Sequence, residues 1–234
     1  FNQDITNWDV SCVTDMEGMF ASAASFNQDI SNWDVSNVTD MTAMFTAANS
    51  FNQDLNTWDV SSVTDMDLMF VVNSTFNGAI GDWDVSNVTT MDRMFTRASK
   101  FNQDISKWNT QSLVGAIGLF EDAASYNQDM SNWDVSKIED MTGMFANATS
   151  FDQDLSNWDI SNQTAMSGFL ANVTLSTPNY DALLIAWSNL IPQENVNFNA
   201  GDSFHTEGGS AEQARNTLTE TFGWFISDRN FFQQ

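Results

Sequence analysis

Seven side chains recur at one spacing. Asp9, Asp34, Asp59, Asp84, Asn109, Asp134 and Asp159 stand 25 residues apart, six carboxylates and one amide. Two residues after each comes a hydroxyl, at Ser11, Ser36, Ser61, Ser86, Ser136 and Ser161, except where Gln111 stands. A column of carboxylates is open to three kinds of chemistry. It can bond neighbouring Ser hydroxyls and turn amides, it can contact a ligand, or it can bridge calcium. Calcium fits least well, because it takes roughly six to eight oxygens and the chain has no EF-hand or Gly-rich calcium repeat. Neighbouring carboxylates repel by about 1 kcal/mol or less per solvated pair. Their recurrence therefore implies a compensating hydrogen bond, cation or ligand.

Catalytic chemistry has less to work with. Copies of one motif make poor active sites, since acid–base catalysis needs unlike groups with separated pKa values. The single histidine, His205, lies in the loop Gly201–Gly209 with Asp202, Ser203 and Glu207. No Gly-x-Ser-x-Gly elbow accompanies it, and one histidine makes no His-rich zinc site. No Gly-rich loop with lysine is present to cradle phosphate. Cys12 is the only cysteine, so neither an intrachain disulfide nor a cysteine metal site is available. Its counterparts are Asn37, Ser62, Asn87, Ser112, Lys137 and Asn162, which reads as a tolerant position. The expectation is a protein that is not an enzyme and needs no cofactor.

The net charge of −24, from 31 acidic and 7 basic residues, argues against nucleic acid and against anionic membrane surfaces. No apolar run reaches the ~18 residues of a membrane helix. Four of the basic residues, Arg93, Arg97, Lys100 and Lys107, fall where the repeat departs from its pattern. Copy four reads Phe76-Asn-Gly-Ala-Ile80, and copy five reads Trp108-Asn-Thr-Gln-Ser-Leu-Val-Gly-Ala-Ile-Gly-Leu119. Drift accounts for this, or a contact patch, or a kink.

The element that positions these residues is the repeat itself. Seven copies of 25 residues begin at Phe1, Phe26, Phe51, Phe76, Phe101, Tyr126 and Phe151, without insertion or deletion. A fixed period of this length marks a solenoid, in which each unit buries its apolar face against its neighbours. Counting 1–25 within each copy, apolar residues fall at positions 1, 5, 8, 10, 13, 16, 19, 20 and 23. Trp33-Asp-Val35 alternates and predicts a short strand, with Asp34 outward. Met41, Met44, Phe45 and Ala48 have helical spacing and predict a short helix, capped by Ser36 or Thr39. Asp15, Asp40, Asp65 and Asp140 then favour its N-terminus. Asn27, Gln28 and Asp29 read as turn residues that satisfy backbone groups.

After Leu175 the period stops. Ser176-Thr177-Pro178 opens a helix that Pro192 ends, Val196–Phe198 reads as a strand, Ser210 starts a second helix that Gly223 stops, and Trp224–Ile226 is a last strand. The expected fold is an α/β solenoid of seven rungs over residues 1–175. Each rung holds a short parallel strand and a short helix, and an α+β cap over 176–234 closes it. The chain opens at a repeat boundary with no capping segment, which predicts sequence upstream of Phe1. The first rung leaves an unpaired edge through which molecules are expected to self-associate.

The segments Phe26-Asn-Gln-Asp-Ile30, Trp33-Asp-Val-Ser-Asn-Val-Thr-Asp-Met41 and Met44-Phe45 resemble the BspA-like type of leucine-rich repeat. Asn179–Trp187, Ala214–Leu218 and Phe222-Gly-Trp224 resemble the closing segment of its marine and gut Bacteroidetes members. The resemblance implies a leucine-rich-repeat-like right-handed coil, and a secreted or cell-surface protein acting in adhesion, without enzymatic activity. It implies a concave sheet that carries Asp9, Asp34, Asp59, Asp84, Asn109, Asp134 and Asp159 with Ser36, Ser61 and Ser86. The expected partner is an extracellular protein, with a glycan, or a passive spacer role, as the alternatives.

Overall fold

The structure is a computed structural model and describes residues 1–229. The apolar positions of every internal copy are buried: in copy two Phe26, Ile30, Trp33, Val35, Val38, Met41, Met44, Phe45 and Ala48 all are. Equivalent rings lie over one another. Phe51 stacks on Phe76 at 6.2 Å and Phe45 on Phe70 at 5.5 Å, while Phe45 also stacks on the next copy's Phe51 at 4.1 Å. Two aromatic columns thus interlock along the core, in the parallel-offset arrangement that ring quadrupoles tolerate well.

The helix expected at positions 16–23 does not form. Instead two four-residue turns follow one another. In copy two, Met44 N–H donates to Met41 C=O (3.2 Å) and Ala48 N–H to Phe45 C=O (3.1 Å). The N–H groups between them leave the rung: Met41, Ala43, Phe45 and Ala47 donate to the carbonyls of Asp65, Asp67, Met69 and Val71 in the next copy, at 2.8–3.0 Å. Two tandem turns bring positions 16, 19, 20 and 23 inward just as a helix would, so the apolar spacing fits both. Inter-rung bonding decides between them, because a helix would use those N–H groups internally.

The expected strand is also absent. Trp-Asp-Val is held between two turns, closed in copy two by Trp33 N–H to Ile30 C=O (3.1 Å) and Val38 N–H to Val35 C=O (2.9 Å). Ladder pairing occurs instead at position 15, through parallel bridges Asp15–Asp40–Asp65–Thr90–Gly115 and Asp140–Ala165. The alternation of side chains survives, with position 8 buried, 9 exposed and 10 buried in all internal copies.

Each tandem turn needs a left-handed residue at its third place, the mark of a type II turn. Positions 18 and 22 supply it. Glycine stands there in Gly18, Gly118, Gly143 and Gly168, but Leu68 (φ 60°) and Val72 (φ 58°) do not have glycine's freedom. A β-branched residue in this region is strained.

The tryptophan ladder ties rung to rung. Each indole Nε1–H donates to the position-5 carbonyl of the preceding copy, as in Trp58 to Ile30 (3.0 Å), Trp83 to Leu55 (2.7 Å) and Trp158 to Met130 (2.9 Å). The C-terminal segment continues the pattern. It contains α1 (Thr177–Ser188), β1 (Asn197–Asn199), α2 (Ser210–Asn216) running into a π-helical turn (Thr217–Thr221), and β2 (Phe225–Ser227), with β1 and β2 parallel. Trp187 of α1 donates its Nε1–H to Leu155 C=O (3.3 Å), and Leu170 N–H donates to Asn199 C=O (2.9 Å). The segment therefore takes the place of an eighth rung. It is held by Asp228, which pairs with Arg215 of α2 (2.8 Å) and accepts from the Tyr180 hydroxyl of α1 (2.8 Å). The sequence Ser210-Ala-Glu-Gln213 has the pattern of a capping box, but Ser210 is already helical; Gly209 precedes α2, and no side chain caps it.

At the other end, Trp8 is 54% exposed, and Phe1 and Met19 are exposed with it. Trp58→Phe should cost about 1–3 kcal/mol in urea unfolding, because it removes a buried inter-rung hydrogen bond and part of a buried ring, leaving the Ile30 carbonyl with its Trp33 N–H alone. Trp8→Phe should change stability by no more than about 0.5 kcal/mol. Val72→Gly should raise stability by about 1 kcal/mol, the left-handed strain released less the entropy glycine adds to the unfolded chain.

Candidate functional site

The position-9 column faces solvent in all seven copies. Each side chain bonds first to its own turn. Asp34 Oδ1 accepts from the Ser36 amide (3.1 Å) and the Ser36 hydroxyl (2.6 Å), and Asp9, Asp59 and Asp134 bond their serines in the same way. Asp84 and Asp159 take the amides of Ser86 and Ser161, and Asn109 takes that of Gln111. Local bonding compensates one oxygen of each carboxylate. Among the described hydrogen bonds the second oxygen has no protein partner and is turned to solvent. The Ser hydroxyl, then the Ser amide, hold the carboxyls of Asp9, Asp34, Asp84 and Asp134 below the usual carboxylate range.

The four basic residues of the expected contact patch are spread over the rung. Arg93 and Arg97 occupy the two left-handed places, with φ of 56° and 62°, and Arg97 pairs with Asp122 at 3.3 Å. Lys100 is the last residue of copy four, exposed. Lys107 stands at position 7 and pairs with Asp82 at 2.9 Å. Lys107 alone joins the Asp column, where a notch of about 290 Å³ is lined by Gly81, Asp82, Trp83, Asp84, Lys107 and Asn109.

Sequence reasoning missed what makes the notch. Position 6 is Ser or Thr in most copies, Asn56 in copy three and Gly81 in copy four. A Cβ on Gly81 would lie 2.4 Å from the Asp104 carbonyl oxygen, and one on Gly78 would lie 2.1 Å from that of Gln53. Both glycines admit the backbone of an adjacent copy, so this corner is drawn in on both sides. The altered stretch Phe76-Asn-Gly-Ala-Ile80 was the available signal. Position 12 is not merely tolerant either: Asn37 and Asn87 donate to the Ser11 and Ser61 carbonyls (2.9 and 2.8 Å). Asp at position 15 serves no helix; Asp40 Oδ1 accepts from the Thr42 amide (2.8 Å). Asn27 and Gln28 do satisfy backbone: Asn27 Oδ1 accepts from the Asn52 amide one copy on (2.9 Å), and Gln28 Nε2 donates to the Asn2 carbonyl one copy back (3.2 Å).

In the loop after β1, Ser203 is buried and its hydroxyl oxygen accepts from Leu175 N–H (2.9 Å), while His205 Nδ1 lies 3.2 Å from the Thr206 carbonyl. Among the described residues no three of His, Cys, Asp or Glu converge as metal ligands. Among the described residues no helix is long and apolar enough to cross a membrane.

The carboxyls of Asp9, Asp34, Asp84 and Asp134 have folded pKa values below the unfolded value of about 3.9, so they stabilise the fold above that value. That contribution is lost as the pH falls through the lower folded values. The urea midpoint should therefore drop between about pH 4 and pH 2. The variant Asp9→Asn/Asp34→Asn/Asp134→Asn, which can keep each turn bond as Asn109 does, should show a shallower drop over the same range.

No curated protein and no solved structure matches the chain. A family model does, over residues 1–83 and again over 64–182, most of the chain and all seven copies. The chain, with its seven 25-residue rungs, therefore belongs to the family described as Mycoplasma protein of unknown function, DUF285.

Proposed function

We propose that this chain is a secreted or cell-surface binding module, a BspA-like leucine-rich-repeat type of solenoid that engages an extracellular protein through its Asp/Ser face. The observation that carries this reading is the Asp column: six carboxylates held at one register, each with one oxygen fixed by its turn and the other presented to solvent. Side chains whose rotamers are already locked lose little entropy when a partner binds. An ionised column also attracts a basic partner surface and raises its encounter rate. Membership in a repeat family fits this reading, since stacked repeats offer long continuous surfaces. No catalytic role is assigned: the repeated rung lacks unlike groups in mutual contact.

The sameness of the internal rungs favours a second reading, a passive spacer. One experiment separates the two. The protein is screened against an array of extracellular proteins and glycans, with calcium and with EDTA. The binding reading expects a captured protein whose affinity falls at least tenfold for Asp34→Asn/Asp59→Asn/Asp134→Asn, with thermal stability at neutral pH nearly unchanged. Capture that the triple variant leaves intact removes the Asp column from the interface. Silence across the array supports the spacer.

A further inference from the structure

We propose that the notch between copies four and five binds a pair of neighbouring hydroxyl groups on a saccharide ring. In copies two and three the position-7 donors are already committed: Asn32 Nδ2 and the Thr57 hydroxyl donate to backbone carbonyls of the preceding copy. In every copy but the fifth, position 9 is a carboxylate. At the notch this changes in both places. Position 7 becomes Asp82 opposite Lys107, paired through Oδ1 at 2.9 Å, while Asp82 Oδ2 accepts from the Asn56 side-chain amide; each carboxylate oxygen keeps a further lone pair for a ligand. Position 9 becomes Asp84 beside Asn109, whose amide oxygen accepts from Gln111 N–H and whose amide nitrogen has no partner among the described hydrogen bonds.

The notch thus sets two acceptors, Asp82 and Asp84, against two donors, Lys107 and Asn109, with Trp83 beneath and Gly81 at its edge, where the Asp104 carbonyl closes in. A cationic ligand group meets the Lys107 ammonium, and an anionic one meets two carboxylates. A neutral hydroxyl both donates and accepts, so two adjacent hydroxyls satisfy a donor and an acceptor each. Nearly the same set of groups appears nowhere else in the repeat, because it needs the substitutions of copies four and five together. At about 290 Å³ the notch lies just below the ~300–1,000 Å³ of drug-sized sites and suits one ring. This inference rests on the notch alone and not on the protein-binding reading of the Asp column.

The test is titration of the isotopically labelled protein with methyl glucoside, methyl galactoside and methyl mannoside, followed by NMR. The expected result is millimolar binding of at least one glycoside, with shifts centred on the Gly81, Lys107 and Asn109 amides and the Trp83 indole. Asn109→Asp, which restores the residue of the other copies and removes a donor, should weaken that binding at least fivefold. Lys107→Ala should do the same. Lys137→Ala, a lysine one copy on and outside the notch, should leave it unchanged. Absence of notch shifts with every glycoside overturns the proposal. So does a stronger notch response to argininamide or to N-acetylglycinamide, and so does full glycoside affinity in Asn109→Asp. The protein-array result with Asp34, Asp59 and Asp134 replaced is indifferent to these outcomes, so either reading can fail without the other.

Discussion

Hydrogen bonds along positions 16–22 run one way. The N–H groups of positions 16, 18, 20 and 22 donate to carbonyls of the following copy, and the carbonyls of 15, 17, 19 and 21 receive from the preceding one. The remaining N–H groups close turns inside the rung. A rung therefore presents carbonyls along this run on its leading side and N–H groups on its trailing side. Buried backbone groups left unpaired are costly, so each rung needs a neighbour of the same construction. Length, register and turn type are bound together by this need, which is why no copy carries an insertion.

The same polarity explains the ends. On the trailing side, Asn199 supplies the carbonyl that Leu170 requires, and Trp187 reaches the Leu155 carbonyl as a repeat tryptophan would. The cap is helical, yet it meets the stack through the bonds that the stack prescribes. On the leading side, Phe1, Trp8 and Met19 lie exposed beside outward carbonyls.

Stacking also governs the exposed chemistry. Identical rungs place identical side chains at one height, and an Asp column follows from repetition alone. What repetition does not supply is contrast, the mixture of donors and acceptors that discriminates among ligands. Contrast enters at copies four and five. Gly78 and Gly81 let neighbouring backbones close in, and Asp82, Lys107 and Asn109 replace the usual residues. The stack tolerates these changes because they fall at positions 3, 6, 7 and 9, outside the one-way ladder.

Much of this was legible in the residue order. The period, the buried positions, the outward Asp column and the secondary structure after Leu175 all follow from apolar spacing and from Pro and Gly placement. Helix and strand within the rung did not follow, because two tandem type II turns and a helix bury the same four positions. The sequence by itself determined which side chains face inward and how often, since that depends only on periodicity. Only the tertiary structure decided where each backbone N–H finds its acceptor. That acceptor lies 24 residues away in the next rung, and no local pattern can distinguish it from one four residues back.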